Sequence, residues 1–132
     1  MPLQLLVVTP ERKAIEAEAD EVELPGAEGY LGILPGHTAL ITLLKPGVLS
    51  FKRGGRSEAF AVSSGFAEIA SDRVSVLVDS AEGGPAIDAA AAERDRVEAE
   101  EALKTAGVDT IDAIRARVEL AEARLAAARR PT

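Results

Sequence analysis

Cysteine and tryptophan are absent, and the chain has one histidine, one tyrosine and three phenylalanines. Without thiols there is neither a disulfide framework nor a thiolate metal site, which fits a reducing compartment. A single imidazole provides no histidine pair for a metal centre, so no metal and no cofactor are expected. So few aromatic rings offer no stacking platform for single-stranded nucleic acid. Basic residues are also in deficit, 15 against 22 acidic, for a formal charge of −7. That is the wrong sign for a phosphate backbone. No apolar run is long enough for a membrane span, and MPLQLLVVTPERKA lacks the basic lead of a signal peptide and reads as a strand. Membrane association is therefore expected only through partner proteins.

The inventory for catalysis is thin as well. The serines sit in strand or turn contexts without a GxSxG-type elbow, and no motif supports a Ser-His-Asp triad through His37. Gly54-Gly55 is followed by a strand, not by the helix that a phosphate-cradling loop requires. No catalytic residue is expected, and the chain reads as a non-enzyme.

What is present is organised around Leu34 to Phe51, LPGHTALITLLKPGVLSF. Pro-Gly turns at Pro35-Gly36 and Pro46-Gly47 bracket Ala39 to Leu44, which reads as a strand covered on both faces, and Val48 to Phe51 follows as a short alternating strand. Leu3 to Val8 reads as the first strand. Ala14 to Leu24 alternates with a parity slip at Glu21-Val22, a bulge or a break, and is expected to end at Pro25-Gly26. Gly29 to Gly32 reads as a turn, and Lys52 to Arg56 as a hairpin connection with a solvated basic tip. Further strands are read over Glu58 to Ser63, Phe66 to Ala70 and Val74 to Val78. Roughly eight to ten short strands predict a β-sandwich.

Composition changes at Gly83-Gly84-Pro85, the expected boundary between residues 1–84, an antiparallel β-sandwich, and residues 85–132, an antiparallel two-helix hairpin. Asp88 is placed to cap a helix reaching about Thr105. A second helix is expected from Asp109 or Thr110 to about Arg130, stopped by Pro131. Its apolar stripe is Ile111, Ile114, Val118, Ala121, Leu125 and Ala128; that of the first is thinner, mainly Ile87, Ala90, Val97 and Leu103. The first helix is net acidic and the second net basic, which favours pairing. Because the seam is mostly alanine, it buries little area at about 25 cal/mol per Å². The hairpin is therefore expected to dock weakly and to be a moving part.

EGYLGILPGH followed by KPGVLSF, in a β-rich chain ending in two helices, resembles the epsilon subunit family of F-type ATP synthases (delta in mitochondria). The resemblance extends over essentially the whole chain. It implies a non-catalytic rotor subunit that clamps the gamma stalk to the membrane c-ring, on the cytoplasmic face of the bacterial plasma membrane. It places Tyr30, Leu31, His37 and Thr38 at the loop end that faces the rotor partners, although Tyr30 occupies a position often acidic in the family. It also implies that the hairpin, when extended, meets the alpha and beta catalytic subunits and inhibits ATP hydrolysis, with Arg115, Arg117 and Arg124 on the second helix as the candidates. Some relatives bind ATP through an I/L-D-x-x-R-A motif. Here Ile87, Asp88 and Ala92 match and Arg124 is placed as one helix arginine, but Ala91 stands where the motif's arginine belongs. No nucleotide site is carried over, and Asp88 is read as a helix cap. The competing reading is a stand-alone binding module with a dimerising helix pair.

Overall fold

The computed structural model describes residues 2–130; Pro131, the expected stop of the second helix, lies outside them. The strands are β1 (Leu3–Val8), β2 (Lys13–Ala19), β3 (Glu21–Gly26), β4 (Gly29–Ile33), β5 (Leu40–Leu44), β6 (Gly47–Arg53), β7 (Arg56–Val62), β8 (Gly65–Ala70), β9 (Arg73–Val78) and β10 (Ala81–Gly83). After a 3-10 turn at Gly84–Ala86 come α1 (Ala89–Leu103) and α2 (Ile111–Arg129). The α+β architecture, sandwich first and helices second, is the one expected.

Pairing sorts the strands into two layers. One runs β10-β7-β6-β3-β4 and the other β5-β8-β9-β1-β2, and a single bridge, Gly26 to Leu44, connects them. Every pair is antiparallel except β1 with β9. The expectation of a wholly antiparallel sandwich is corrected there, because no hairpin fixes the direction in which a terminal strand meets one far along the chain. Period-two alternation turns Leu3, Leu5 and Val7, Val22 and Leu24, Leu49 and Phe51, and Val74, Val76 and Val78 into one core between the layers. Phe51 and Phe60 stack across β6 and β7 with ring centroids 6.3 Å apart.

Three local expectations are settled or changed. The parity slip is a break: Asp20 lies between β2 and β3, where its N–H donates to the Lys52 carbonyl at 2.7 Å and its carboxylate accepts from the Gly54 N–H at 2.9 Å. β3 ends at Gly26 as expected, with Pro25 and Gly26 still paired in its ladder, but Gly29 to Gly32 are strand rather than turn; the turn falls on Ala27-Glu28, with Gly29 at φ +136°. The ladder survives Pro25 because a proline keeps its acceptor, and the Pro25 carbonyl takes the Lys45 N–H at 3.0 Å. The third change is that the strand covered on both faces is β6, not β5. Gly47 to Phe51 are all buried, whereas Ile41 and Leu43 on β5 are 70% and 68% exposed.

The helices form the expected hairpin. Glu98 faces Arg117 at 3.9 Å and Asp95 faces Arg124 at 3.6 Å, so positions fall along α1 as they rise along α2, and the two run antiparallel. Asp88 caps α1, its carboxylate accepting from the Ala91 N–H at 3.1 Å. The stripe assigned to α1 is corrected: Ala92 and Ala99 are the buried residues and Val97 faces solvent. A short apolar count on an alanine-rich helix fixes no single face. α2 has the expected buried Ala121 and Leu125, plus a second buried row, Ala123 and Ala127. That row packs on Val48, Ala59 and Ala61, so α2 carries the packing of the hairpin on the sheet.

Candidate docking surface

The bare face of the β5-β8-β9-β1 layer is built by register. Leu43 pairs with Phe66, Phe66 with Leu77, and Leu77 with Val8, one residue from each of four neighbouring strands. Residues directly opposite in a ladder have Cβ atoms about 5 Å apart on one face, so these four side chains form a continuous strip. Leu43, Phe66 and Leu77 are 68%, 45% and 44% exposed, while their strand neighbours Leu44, Ala67 and Val78 point into the core. The strip borders an open groove of about 740 Å³ whose lining includes Pro10, Ala27 and Val78. Contiguous exposed apolar surface of this kind is a candidate contact surface.

Periodicity hides this strip, because its residues are the outward half of ordinary alternating strands. The one legible signal is that Phe66 and Leu77 break the apolar-in, polar-out pattern of their strands.

The loop residues expected to face partners lie elsewhere. Tyr30 is 52% exposed but anchored, its hydroxyl accepting from the Val48 N–H at 3.0 Å. Leu31 is half-buried against the core. In the 34–39 loop, Leu34 is exposed, the His37 N–H donates to the Leu34 carbonyl at 3.1 Å, and Nδ1 lies 2.7 Å from the Thr38 carbonyl. A carbonyl only accepts, so Nδ1 carries the proton. The Asp72 carboxylate accepts from the Gly36 N–H at 2.7 Å and ties this loop to the β8–β9 turn. Among the described residues no serine hydroxyl bonds His37, and no group of carboxylates and imidazole is arranged to hold a metal ion.

The helical arginines are divided by the fold. Arg115 and Arg117 are half-exposed, with loose pairings to Asp112 at 3.6 Å and Glu98 at 3.9 Å. Arg124 is only 19% exposed, its Nε donating to Glu82 at 2.8 Å and its Nη1 lying 3.6 Å from Asp95. Ile87 is buried beneath α2 and Asp88 is occupied as a cap, so the structure separates the jobs of Ile87, Asp88 and Arg124. The charge complementarity expected between the helices is met by the Glu98–Arg117 and Asp95–Arg124 pairs, while closer pairs form inside α1. There Arg96 bonds Glu93 and, at 2.6 Å, Glu100. The basic β6–β7 tip is likewise met by its own chain, Lys52 with Glu21 and Arg53 with Glu18, each at 3.5 Å.

A two-layer sandwich with one face under its own helices and the other carrying a bare apolar strip defines an α+β protein with one covered and one uncovered face. Residues 2–84 match the family described as ATP synthase, Delta/Epsilon chain, beta-sandwich domain, and the chain belongs to that family. It is 45% identical over 131 residues to the ATP synthase epsilon chain of Solibacter usitatus, covering 96% of this chain and 95% of that one. Against the ATP synthase epsilon chain of Herpetosiphon aurantiacus it is 42% identical over 123 residues, 93% of this chain and 90% of the other. A chain in the cryo-EM structure of the Euglena gracilis mitochondrial ATP synthase (OSCP/F1/c-ring) superposes with a TM-score of 0.82 at 22% identity, covering 96% and 81% of the two chains. At that identity the likeness speaks for the fold.

Proposed function

We propose that this chain is a non-catalytic rotor subunit of an F-type ATP synthase, joining the gamma stalk to the c-ring so that ion-driven rotation reaches the catalytic head. The observation that carries this reading is the strip Val8–Leu43–Phe66–Leu77, a preformed apolar face on a rigid sheet. Torque needs a stiff, dehydrated contact, and a β layer backed by a close-packed core supplies one. In this reading the strip seats on gamma. The loop end, with Tyr30, Leu31, His37 and Thr38, faces the ring. Residues 1–84 act as the coupling unit and 85–132 as a regulatory one.

No helix among the described residues is long and apolar enough to cross a membrane. Attachment to the cytoplasmic face of the bacterial plasma membrane is then through partners. Extended, the hairpin would reach the alpha and beta subunits, with the half-exposed Arg115 and Arg117 as the residues that meet acidic surface, and would oppose ATP hydrolysis.

Co-expression with gamma and the ring tests the docking. The wild-type chain is expected in a stoichiometric complex, and Phe66→Glu is expected to weaken association about 30-fold or more, the scale of an interface hot spot. Phe66 is half-exposed, so the variant should fold. A variant that binds as well as wild type overturns the assignment of the strip, and a wild-type chain found only as a free homodimer overturns the rotor reading itself. For the hairpin, ATP hydrolysis by the complex should rise when residues 86–132 are removed; an unchanged rate removes the inhibitory role.

A further inference from the structure

The alanine-lined contact beneath α2 has one polar clasp, and it sits at the joint. Glu82 is on β10, next to Gly83 and Gly84, where the chain leaves the sandwich. Arg124 reaches it from α2 in a forked contact, Nε to Oε1 at 2.8 Å and Nη2 to Oε2 at 3.4 Å, while Nη1 lies 3.6 Å from Asp95 of α1. One guanidinium thus ties the last strand, the first helix and the second helix. Among the described residues the Arg124–Glu82 pair is the only salt bridge between helices and strands; every other pair stays within the sandwich or within the hairpin.

The apolar part of the same contact is Val48, Ala59, Ala61 and Ile87 under Ala123 and Ala127. Small side chains give such a contact little depth and few interlocking shapes. A forked arginine–carboxylate bond is directional and, with Arg124 19% and Glu82 40% exposed, partly shielded from the screening that weakens surface pairs.

We propose that Arg124 is an electrostatic latch: its forked bond to Glu82, steadied by Asp95, holds the hairpin on the sandwich, and loss of that bond releases α2 without unfolding the strands. The proposal rests on the reading of the hairpin as a moving unit, and adds what restrains it. Because the latch is an ion pair, rising salt loosens it. Because Arg124 has its donors on internal carboxylates, the same arginine is free to meet another acidic surface only after release.

Absence of native cysteine makes the test direct. Ala61 is 2% exposed beneath α2, and Ala67 is fully buried between the layers. In an Ala61→Cys background the rate of thiol modification reports hairpin release; in an Ala67→Cys background it reports opening of the core. Glu82→Gln is expected to speed labelling at position 61 about fivefold, the scale of a partly shielded ion pair, and to leave position 67 unchanged. Arg124→Glu should speed it further, and Asp95→Asn less. Exchanging the charges, Glu82→Arg with Arg124→Glu, should restore slow labelling when made with Asp95→Asn, since Asp95 would otherwise repel the new carboxylate.

Equal rates at position 61 in wild type and Glu82→Gln overturn the latch. So does acceleration at both positions, which would mean that the pair stabilises the sandwich as a whole. Failure of the charge exchange to restore slow labelling also overturns it. The measurement uses the free full-length chain, so its outcome is separate from whether the chain joins gamma or the ring.

Discussion

The outward faces of the two sandwich layers are finished in opposite ways. Over β6 and β7 the outward residues are Val48, Ala59 and Ala61, small and covered by Ala123 and Ala127 of the same chain. Over β5, β8 and β9 they are Leu43, Phe66 and Leu77, large and bare. At about 25 cal/mol per Å² the large side chains gain far more from being covered than the alanines do. The difference teaches which contact is meant to last. In the proposed reading, surface whose burial gains much is left for another molecule, whereas the chain's own helices rest where little is gained and leaving is easy. Both faces share one wall, because the alternate residues of each strand fill the same core.

The strongest blow to that arrangement is at the wall itself. Leu49 is fully buried on β6, with its neighbour Val48 turned to the helices. Leu49→Ala should lower the unfolding free energy by about 2–5 kcal/mol, the range for an unfilled core leucine. Denaturant titration should find the hairpin and strands destabilised together. A cost below about 1 kcal/mol would mean that β6 is not the wall both faces depend on.

A smaller and more selective change is available at the joint. A Cβ added at Gly84 would lie 2.4 Å from the Ala127 carbonyl oxygen, against backbone rather than a yielding side chain. Gly84→Ala should therefore lift the last turns of α2, with a cost of about 1–3 kcal/mol typical of overpacking. Thiol labelling in the Ala61→Cys background should accelerate while the Ala67→Cys background stays slow. Were both to accelerate alike, the contrast between a releasable and a permanent face would fail.

Much of this plan is legible in the residues. β1 and β9, the two-glycine turn at Gly54-Gly55, the Asp88 cap and the alanine-rich hairpin all follow from local chemistry, because alternation, positive φ and capping are properties of a few neighbouring residues. The reading misses where the evidence is non-local. An apolar run such as Leu40 to Leu44 shows that a strand wants cover, but not whether the cover comes from its own chain; here it does not. Val97 fails for the related reason that, among so many alanines, helical phase is decided by packing. The docking strip exists only through register across four strands, and Arg124 joins Glu82 across 42 positions. Neither is written in any one stretch.

The smallest expected effect tests why Arg124 stands alone across the boundary. Within α1, Arg96 holds both Glu93 and Glu100, and Lys104 holds Glu101 at 3.1 Å. These charges are satisfied inside the hairpin and add nothing to its attachment. The hydrogen bond from Arg96 holds the Glu93 carboxyl below the ordinary carboxylate range, nearby positive charge adding to the effect and partial desolvation opposing it. A depressed folded pKa means that the stabilisation is complete above the unfolded value, about 4.3 for glutamate, and is lost as pH falls through the folded one. Side-chain NMR titration should therefore place the Glu93 midpoint below that of an unstructured peptide, and Arg96→Gln should return it towards the ordinary value. Since both groups are only partly buried, helix content should decline only slightly over that acid range, and Ala61→Cys labelling should not follow it. Hairpin release that tracked the Glu93 titration would tie attachment to charges within α1, and the division between internally satisfied pairs and a single boundary clasp would be wrong.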